Sequence, residues 1–117
     1  LPIALPEYDL IVKNTGTTAI LKGSVAAMAG GYNRGRLMTS ADDARLLIGI
    51  AVEDIPVGQR GKVTKTSMTA VLIRQSGLVA TAGATAEIGA TAGVLVPGNT
   101  KPLYRCVDSQ FSVWEQL

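Results

Sequence analysis

The sequence predicts an all-β protein: a single domain of about eight short strands, arranged as a barrel or sandwich, with at most one short helical turn. Hydrophobic residues make up 47% of the 117 residues but aromatic residues only 4%, so the core must come from Val, Ile, Leu and Ala. Thirteen glycines and five prolines supply turns along the whole length. Short runs of strand length recur between those turns. A chain of this length fits one domain.

The stretch from Leu46 to Thr66 carries the clearest strand pattern. It opens with six residues that are apolar or glycine, Leu46 to Ala51, and it ends in a run where apolar and polar residues alternate. Between the two runs, Pro56 has no N–H to give to a ladder, and Gly58 can adopt positive φ without steric cost. The pattern predicts a strand, a short connection and a second strand, with the domain centred on this hairpin.

Residues 1–8 predict an extended N-terminal arm, followed by a β-domain over residues 9–117. The arm is apolar, and Pro2 and Pro6 hold it extended. Such an arm can lie along its own domain, or it can add to another subunit by strand pairing and pocket filling. Neither periodicity nor charge separates the two fates.

The segment after the arm predicts two strands and a loop. Asp9 to Lys13 is a short apolar strand that ends in a Thr- and Gly-rich turn cluster, and Ala19 to Met28 is a strand interrupted at Lys22-Gly23. Residues 30–36 predict a flexible loop that carries Tyr32, Arg34 and Arg36. That loop is either a solvated tip or a contact with a partner surface or a phosphate backbone.

Farther along the chain, Ser40 is placed to cap a helix of at most one turn. Met68 to Arg74 predicts another strand. Gly-Ala-Thr-Ala occurs at 83–86 and again at 89–92, which predicts a pair of tight turns around Glu87-Ile88, because two copies are too few for a solenoid.

The last third of the chain predicts two strands and a buried aromatic residue. Val94 to Val96 precedes a Pro-Gly turn, and Leu103 to Val107 alternates as a strand. Cys106 is expected to be a small apolar side chain in that late strand. Trp114, the only tryptophan, either fills the core or anchors a tail onto a neighbour, and the core is preferred.

The composition argues against catalysis, metals and cofactors. Histidine is absent, which removes the commonest general base and metal ligand, and a single cysteine cannot build a zinc site within one chain. The acidic pairs Asp42-Asp43 and Glu53-Asp54 sit in turn contexts that suit caps and solvated carboxylates. No Gly-x-Gly-x-x-Gly or Gly-Lys-Ser/Thr motif indicates a phosphate-binding loop. We therefore expect a protein that is not an enzyme, with no catalytic residue, no cofactor and no metal.

The charge and the hydropathy of the sequence limit the kinds of partner that we expect. The net charge is +2, and the eleven Lys and Arg residues are scattered from Lys13 to Arg105, so nucleic-acid binding is not expected. No run approaches the ~18 apolar residues that a membrane span needs. One cysteine excludes an internal disulfide framework and suits a reducing compartment.

The order of elements resembles the capsid decoration (head cement) proteins of tailed bacteriophages. The resemblance covers about residues 10–98 and rests on three segments: the early turns from Thr15-Gly16 to Lys22-Gly23, the hairpin from Leu47 to Val63, and the Ala/Gly/Thr-rich stretch at 80–93. It implies a small antiparallel β-barrel or β-tulip-like fold without enzymatic activity. It also implies a virion protein, made in the host cytoplasm, that binds the outer surface of the head, often as a homotrimer. The major capsid protein would be its partner, and capsid stabilisation its function.

The interface that we expect on this reading comprises the arm and the following loop: Pro2, Ile3, Leu5, Pro6, Tyr8, Tyr32, Arg34 and Arg36. Two alternatives remain. One is another phage structural β-module, such as a head-completion or tail component, which ring formation in solution would favour. The other is a non-enzymatic binding domain for sugars or peptides, although sugar sites usually display more aromatic residues than the five present here.

Overall fold

A computed structural model of the protein describes residues 9–31, 33–65 and 68–117. These residues form two sheets and one short 3₁₀ turn, and the all-β prediction is confirmed. The described part of the chain contains ten strands, where about eight were expected: β1 Asp9–Asn14, β2 Val25–Met28, β3 Arg34–Leu37, β4 Leu47–Ala51, β5 Arg60–Thr64, β6 Met68–Thr69, β7 Thr85–Ile88, β8 Leu95–Pro97, β9 Tyr104–Asp108 and β10 Val113–Gln116.

The first five strands form a closed barrel in the order β1-β3-β2-β4-β5, which closes by pairing β1 with β5. Every pair is antiparallel except β1 with β3. The predicted central hairpin is the β4–β5 pair, in which Ile50 lies opposite Thr64 and Ala51 opposite Val63. Gly58 in its connection has a φ of 81°, a left-handed conformation that favours glycine.

The barrel interior is narrow, and glycines make room for its aliphatic filling. A Cβ on Gly35 would lie 2.8 Å from Val12 Cγ1, and a Cβ on Gly61 would clash with Ile55. The buried side chains that fill the interior are Val12, Ile20, Ala26, Ile48, Ala51, Ile55 and Val63.

The other five strands form a curled sheet in the order β6-β10-β9-β7-β8. A parallel bridge from Gln75 to Leu95 lays the segment after β6 along the opposite edge of this sheet. The sheet packs on the outside of the barrel around Trp114 and Tyr104, both fully buried. The predictions that Trp114 belongs to the core and that Cys106 is buried in a late strand are confirmed.

Strand β2 connects the two cores because both of its faces are buried. Ala26 points into the barrel, whereas Val25 and Ala27 pack against the second sheet. Opposite them, β4 has a register shift: Ala26 pairs with Gly49 and Ala27 with Leu47. Strand β2 is thus part of a wall shared by two buried apolar clusters, one inside the barrel and one between the barrel and the curled sheet.

Two predicted elements around Ser40 and Met68 are wrong in their details. The single helical turn spans Ala44–Leu46, and its cap is Asp43, which accepts from the N–H of Arg45, rather than Ser40. The predicted strand Met68 to Arg74 is a strand only at Met68–Thr69. The chain then turns, because the N–H of Arg74 donates to Gly23 O of the barrel, 2.8 Å away.

The segment before β4 also differs from the prediction. The predicted strand over residues 19–28 is reduced to β2, and Ile20 forms only an isolated bridge with Ile55. The predicted loop over residues 30–36 ends early, since Arg34–Leu37 is strand β3 of the barrel. The two tight turns predicted around Glu87 and Ile88 do flank strand β7, with left-handed glycines at Gly83 and Gly93.

Candidate functional site

The outer face of the barrel at strands β3, β1 and β5 is the candidate site. Its orientation follows from the residues that point inward: Val12, Gly35 and Gly61 face the barrel interior. Successive side chains of a strand point to opposite faces of the sheet. Their chain neighbours Lys13, Arg34 and Arg60 therefore point outward.

Three cations stand side by side on this face. Lys13 of β1 is in register with Arg34 of β3 on one side and with Arg60 of β5 on the other. We call Arg34, Lys13 and Arg60 the basic row. Adjacent strands lie about 4.8 Å apart, so the row crosses the barrel wall over roughly 10 Å. Like charges placed directly opposite each other destabilise a sheet.

None of the three cations of the basic row forms an ion pair with a described carboxylate. The ion pairs there join Arg36 to Asp42 and Arg45 to Asp43, and neither pair includes a residue of the row. Lys62, two residues beyond Arg60 on the same face, adds a fourth cation opposite Ile11, whose surface is 50% exposed. The face therefore combines cations that form no ion pair among the described residues with one accessible aliphatic side chain.

Arg36, a predicted interface residue, has a structural partner instead. Its guanidinium binds the Asp42 carboxylate through two contacts, Nη1 to Oδ2 at 2.7 Å and Nη2 to Oδ1 at 2.8 Å. The hydrogen bond to Arg36 lowers the pKa of Asp42 to about 2, and the N–H of Thr39 also donates to that carboxylate. The same contact raises the pKa of Arg36. Arg36 thus holds the loop after β3 in place.

The remaining predicted interface residues divide into two groups. Arg34 is exposed and belongs to the basic row. Those outside the described residues are Pro2, Ile3, Leu5, Pro6, Tyr8 and Tyr32. Of the eight expected residues, the structure therefore assigns surroundings to Arg34 and Arg36 only, and it places both on strand β3.

A cleft lies between the loop after β3 and the loop that joins β8 to β9. This cleft of about 230 Å³ has an apolar floor of Met38, Ile88 and Leu103. Lys101 crosses its rim, where Nζ donates to Ser40 O at 3.1 Å.

The polar groups of the cleft hold its two loops together. Glu87 Oε1 accepts from the N–H groups of Thr100 and Lys101, at 2.9 and 3.0 Å. At the edge of the neighbouring hollow, Arg45 lowers the pKa of Asp43 by a side-chain hydrogen bond. These charged groups are already engaged in loop contacts, so the cleft is a weaker candidate than the basic row.

The acidic pairs act in turns, as their sequence context predicted. Glu53 Oε2 accepts from the N–H of Lys62, and Asp54 Oδ1 accepts from the N–H of Lys22, each at 2.8 Å. Within the described ranges no three metal-binding side chains come together. The same residues include no helix long and apolar enough to cross a membrane.

The sequence reading did not single out Lys13, Arg60 and Lys62, because they are scattered along the chain. A local signal exists in retrospect: Lys13 follows the apolar pair Ile11-Val12, and Arg60-Gly-Lys-Val alternates charged with small or apolar residues. Alternation assigns the cations to one face of each strand. Bringing the three strands into register required the barrel to close.

Comparisons with protein-family models, with curated proteins and with solved structures found no match to this chain.

Proposed function

We propose that this protein is a structural virion protein that binds the outer surface of a tailed-phage head and stabilises the capsid. The observation that supports it best is the basic row, three cations abreast on a closed β-barrel that form no ion pair among the described residues. The order of sequence elements, which resembles the decoration proteins, supports the same function. The proposed partner is the major capsid protein, and the proposed state in solution is a homo-oligomer, with a trimer favoured.

The architecture suits a protein that acts by remaining in place on a surface. In the barrel every strand is paired on both sides, so the β1–β5 closure removes the free edges along which strands exchange or aggregate. The curled sheet is fixed to the barrel through Val25 and Ala27 on one side and Trp114 on the other. The barrel and the curled sheet are therefore held together, and the proposed binding surface keeps one arrangement.

Binding at many equivalent positions would make modest contacts sufficient. When several sites engage one particle together, avidity can exceed the single-site affinity by a factor on the order of 100 or more. A row of three charges and a flanking aliphatic residue is a modest site by itself. Repetition by the symmetry of the head, and linkage within a trimer, would supply the rest.

The N-terminal arm is the second contact in this proposal. Residues 1–8 directly precede β1, whose first residue, Asp9, is in register with Thr64 of β5. Eight extended residues reach at most roughly 28 Å, far enough to leave the barrel and to reach a neighbouring subunit. Removing residues 1–8 should weaken attachment to heads while the β-domain still unfolds in one transition.

A sedimentation assay tests the proposal. Purified protein is mixed with expanded, empty heads assembled from the major capsid protein encoded with it, and bound copies per head are counted as the protein concentration rises. The proposal predicts saturable binding at a fixed copy number and a higher unfolding temperature of the loaded heads. Uptake that never saturates, or no uptake at all, would remove it.

The mass in solution tests the oligomeric part separately. A trimer would have about three times the 12.1 kDa mass of the chain. A larger closed ring would instead favour a head-completion or tail module. A monomer would contradict the proposed trimer but not the proposed attachment to heads.

A further inference from the structure

We propose that the basic row of Arg34, Lys13 and Arg60 is the docking site for a carboxylate-rich segment of a partner protein. This inference deepens the proposed function, and the identity of the partner rests on that function. The chemistry of the site does not, because it follows from the charges on the barrel itself. The partner segment is therefore described here by the groups it must present.

The first step of the argument is the geometry of the row. The register pairs Lys13 with Arg34 and with Arg60 place three cationic side chains abreast on one outer wall. The cations are about 4.8 Å apart from strand to strand, whereas side chains on one face of an extended peptide repeat at roughly 6.8 Å. The long Arg and Lys side chains can bridge this difference of about 2 Å per step by spreading. Arg34 and Arg60 carry planar guanidinium groups that bind carboxylates in a bidentate manner.

The second step is that none of the three cations of the row forms an ion pair with a described carboxylate. Asp42 and Asp43 are already bound to Arg36 and Arg45. Glu53, in the connection between β4 and β5, accepts from the backbone N–H of Lys62. Three like charges in adjacent register positions repel one another, so a partner that supplies negative charge is favoured over an empty surface.

The third step favours carboxylates of a protein over phosphates of a nucleic acid. Proteins that hold nucleic acid through its backbone commonly contact six to ten phosphates, and a row of roughly 10 Å covers about three on one strand. Ile11, half exposed and opposite Lys62, borders the row. An aliphatic side chain beside the cations suits a protein surface, where acidic and apolar side chains are interspersed.

The test uses fluorescence anisotropy with the full chain and a labelled octaglutamate peptide as the probe. The row variant carries Lys13→Gln, Arg34→Gln and Arg60→Gln. A matched control carries Lys22→Gln, Arg74→Gln and Arg105→Gln, which removes the same charge from one lysine and two arginines elsewhere on the surface.

The expected result is octaglutamate binding by the wild-type chain at low salt, weakened at least about tenfold in the row variant and within about twofold in the control. Equal weakening in both variants would show that only net charge matters and would overturn the proposal, as would no binding at low salt. Circular dichroism checks folding, and the single variant Lys13→Gln serves if the triple variant unfolds.

Two further comparisons decide the ligand class and the relation to the proposed function. A single-stranded octanucleotide that binds the row more tightly than octaglutamate at equal salt would overturn the carboxylate assignment in favour of nucleic acid. Octaglutamate binding without attachment to heads would remove the proposed function and leave the row as a protein-docking site. Attachment to heads that is unchanged in the row variant would leave the function and contradict this site.

Discussion

The crowding of three cations on the barrel wall should cost stability, and Lys13→Gln should recover it. Lys13 has a cationic neighbour on each side, Arg34 and Arg60. Two unit charges about 6 Å apart in water repel by roughly 0.7 kcal/mol, so the two contacts sum to roughly 1.4 kcal/mol. The long side chains can splay apart, and about 0.5–1 kcal/mol is the expected gain in the free energy of unfolding.

The assay is urea unfolding followed by circular dichroism, at about 10 mM and about 1 M NaCl. With an m-value of about 1.5 kcal/mol/M, the gain appears as a midpoint raised by about 0.3–0.7 M urea at low salt. The Debye length shortens from about 30 Å to about 3 Å between these conditions, so most of the gain should vanish at high salt. Lys22→Gln is the control, because it removes the same charge where no cation is in register.

Three outcomes would refute the reasoning behind this prediction. The midpoint could fall in Lys13→Gln, the gain could be the same at both salt concentrations, or Lys22→Gln could give an equal gain. Any of these outcomes would mean that the three cations do not repel one another as their register requires. The electrostatic argument for the basic row would then fail.

Three other substitutions test the packing and electrostatics of the scaffold. Asp42→Asn should lower the free energy of unfolding by about 1 kcal/mol after allowance for solvent, since the side chain of Asp42 is 11% exposed and that of Arg36 33%. The pKa of Asp42 in the folded state is about 2, below the usual 3.8, so the wild-type advantage should be full above about pH 4 and fade toward pH 2. Urea midpoints measured across this pH range check the prediction. Gly61→Ala should lower the unfolding free energy by about 1–3 kcal/mol, because the added Cβ meets Ile55 inside the barrel. Gly31→Ala should be nearly neutral, because its Cβ makes only an ordinary contact, 3.9 Å from Arg34 Cδ. Similar losses in thermal melts of both variants would contradict the narrow interior. Burial raises the pKa of the Tyr104 hydroxyl, and among the described residues no group meets it with full hydrogen-bond geometry, although Gln116 lies near it. Tyr104→Phe should therefore leave stability unchanged or raise it by up to about 1 kcal/mol. A clear loss in the same melts would show that the contact with Gln116 stabilises the fold.

Local sequence pattern was sufficient for the elements whose side chains alternate in a regular way. The β4–β5 hairpin has a β-branched run, a Pro and Gly connection and an alternating return, and each of these features acts within a few residues. Trp114 was assigned to the core because a single large aromatic residue in an aliphatic protein is best used there, and it is fully buried.

The errors arose where a long-range contact overrides local composition. The apolar residues after β6 suggested a continuing strand, yet Val71 is 89% exposed, and only Ile73 of that stretch is buried. The chain bends there because Arg74 bonds to Gly23, which lies 51 positions earlier. A contact at that separation leaves no periodic signal in the sequence.

The candidate site was predicted least well, for a related reason. Arg34 was selected from its loop-like context, but its neighbours Lys13 and Arg60 lie 21 and 26 positions away and meet it only through barrel register. Arg36 was selected on the same grounds, and its pairing with Asp42 assigns it to loop anchoring instead. Charge adjacency across strands depends on topology, which composition and spacing do not specify.

The most direct test of the proposed function is an electron-microscopy reconstruction of expanded heads incubated with the protein. The proposal predicts ordered density at symmetry-related positions on the outer surface, with the wall of β3, β1 and β5 facing acidic side chains of the capsid. Heads that carry no added density, or density with that wall turned toward solvent, would contradict the account.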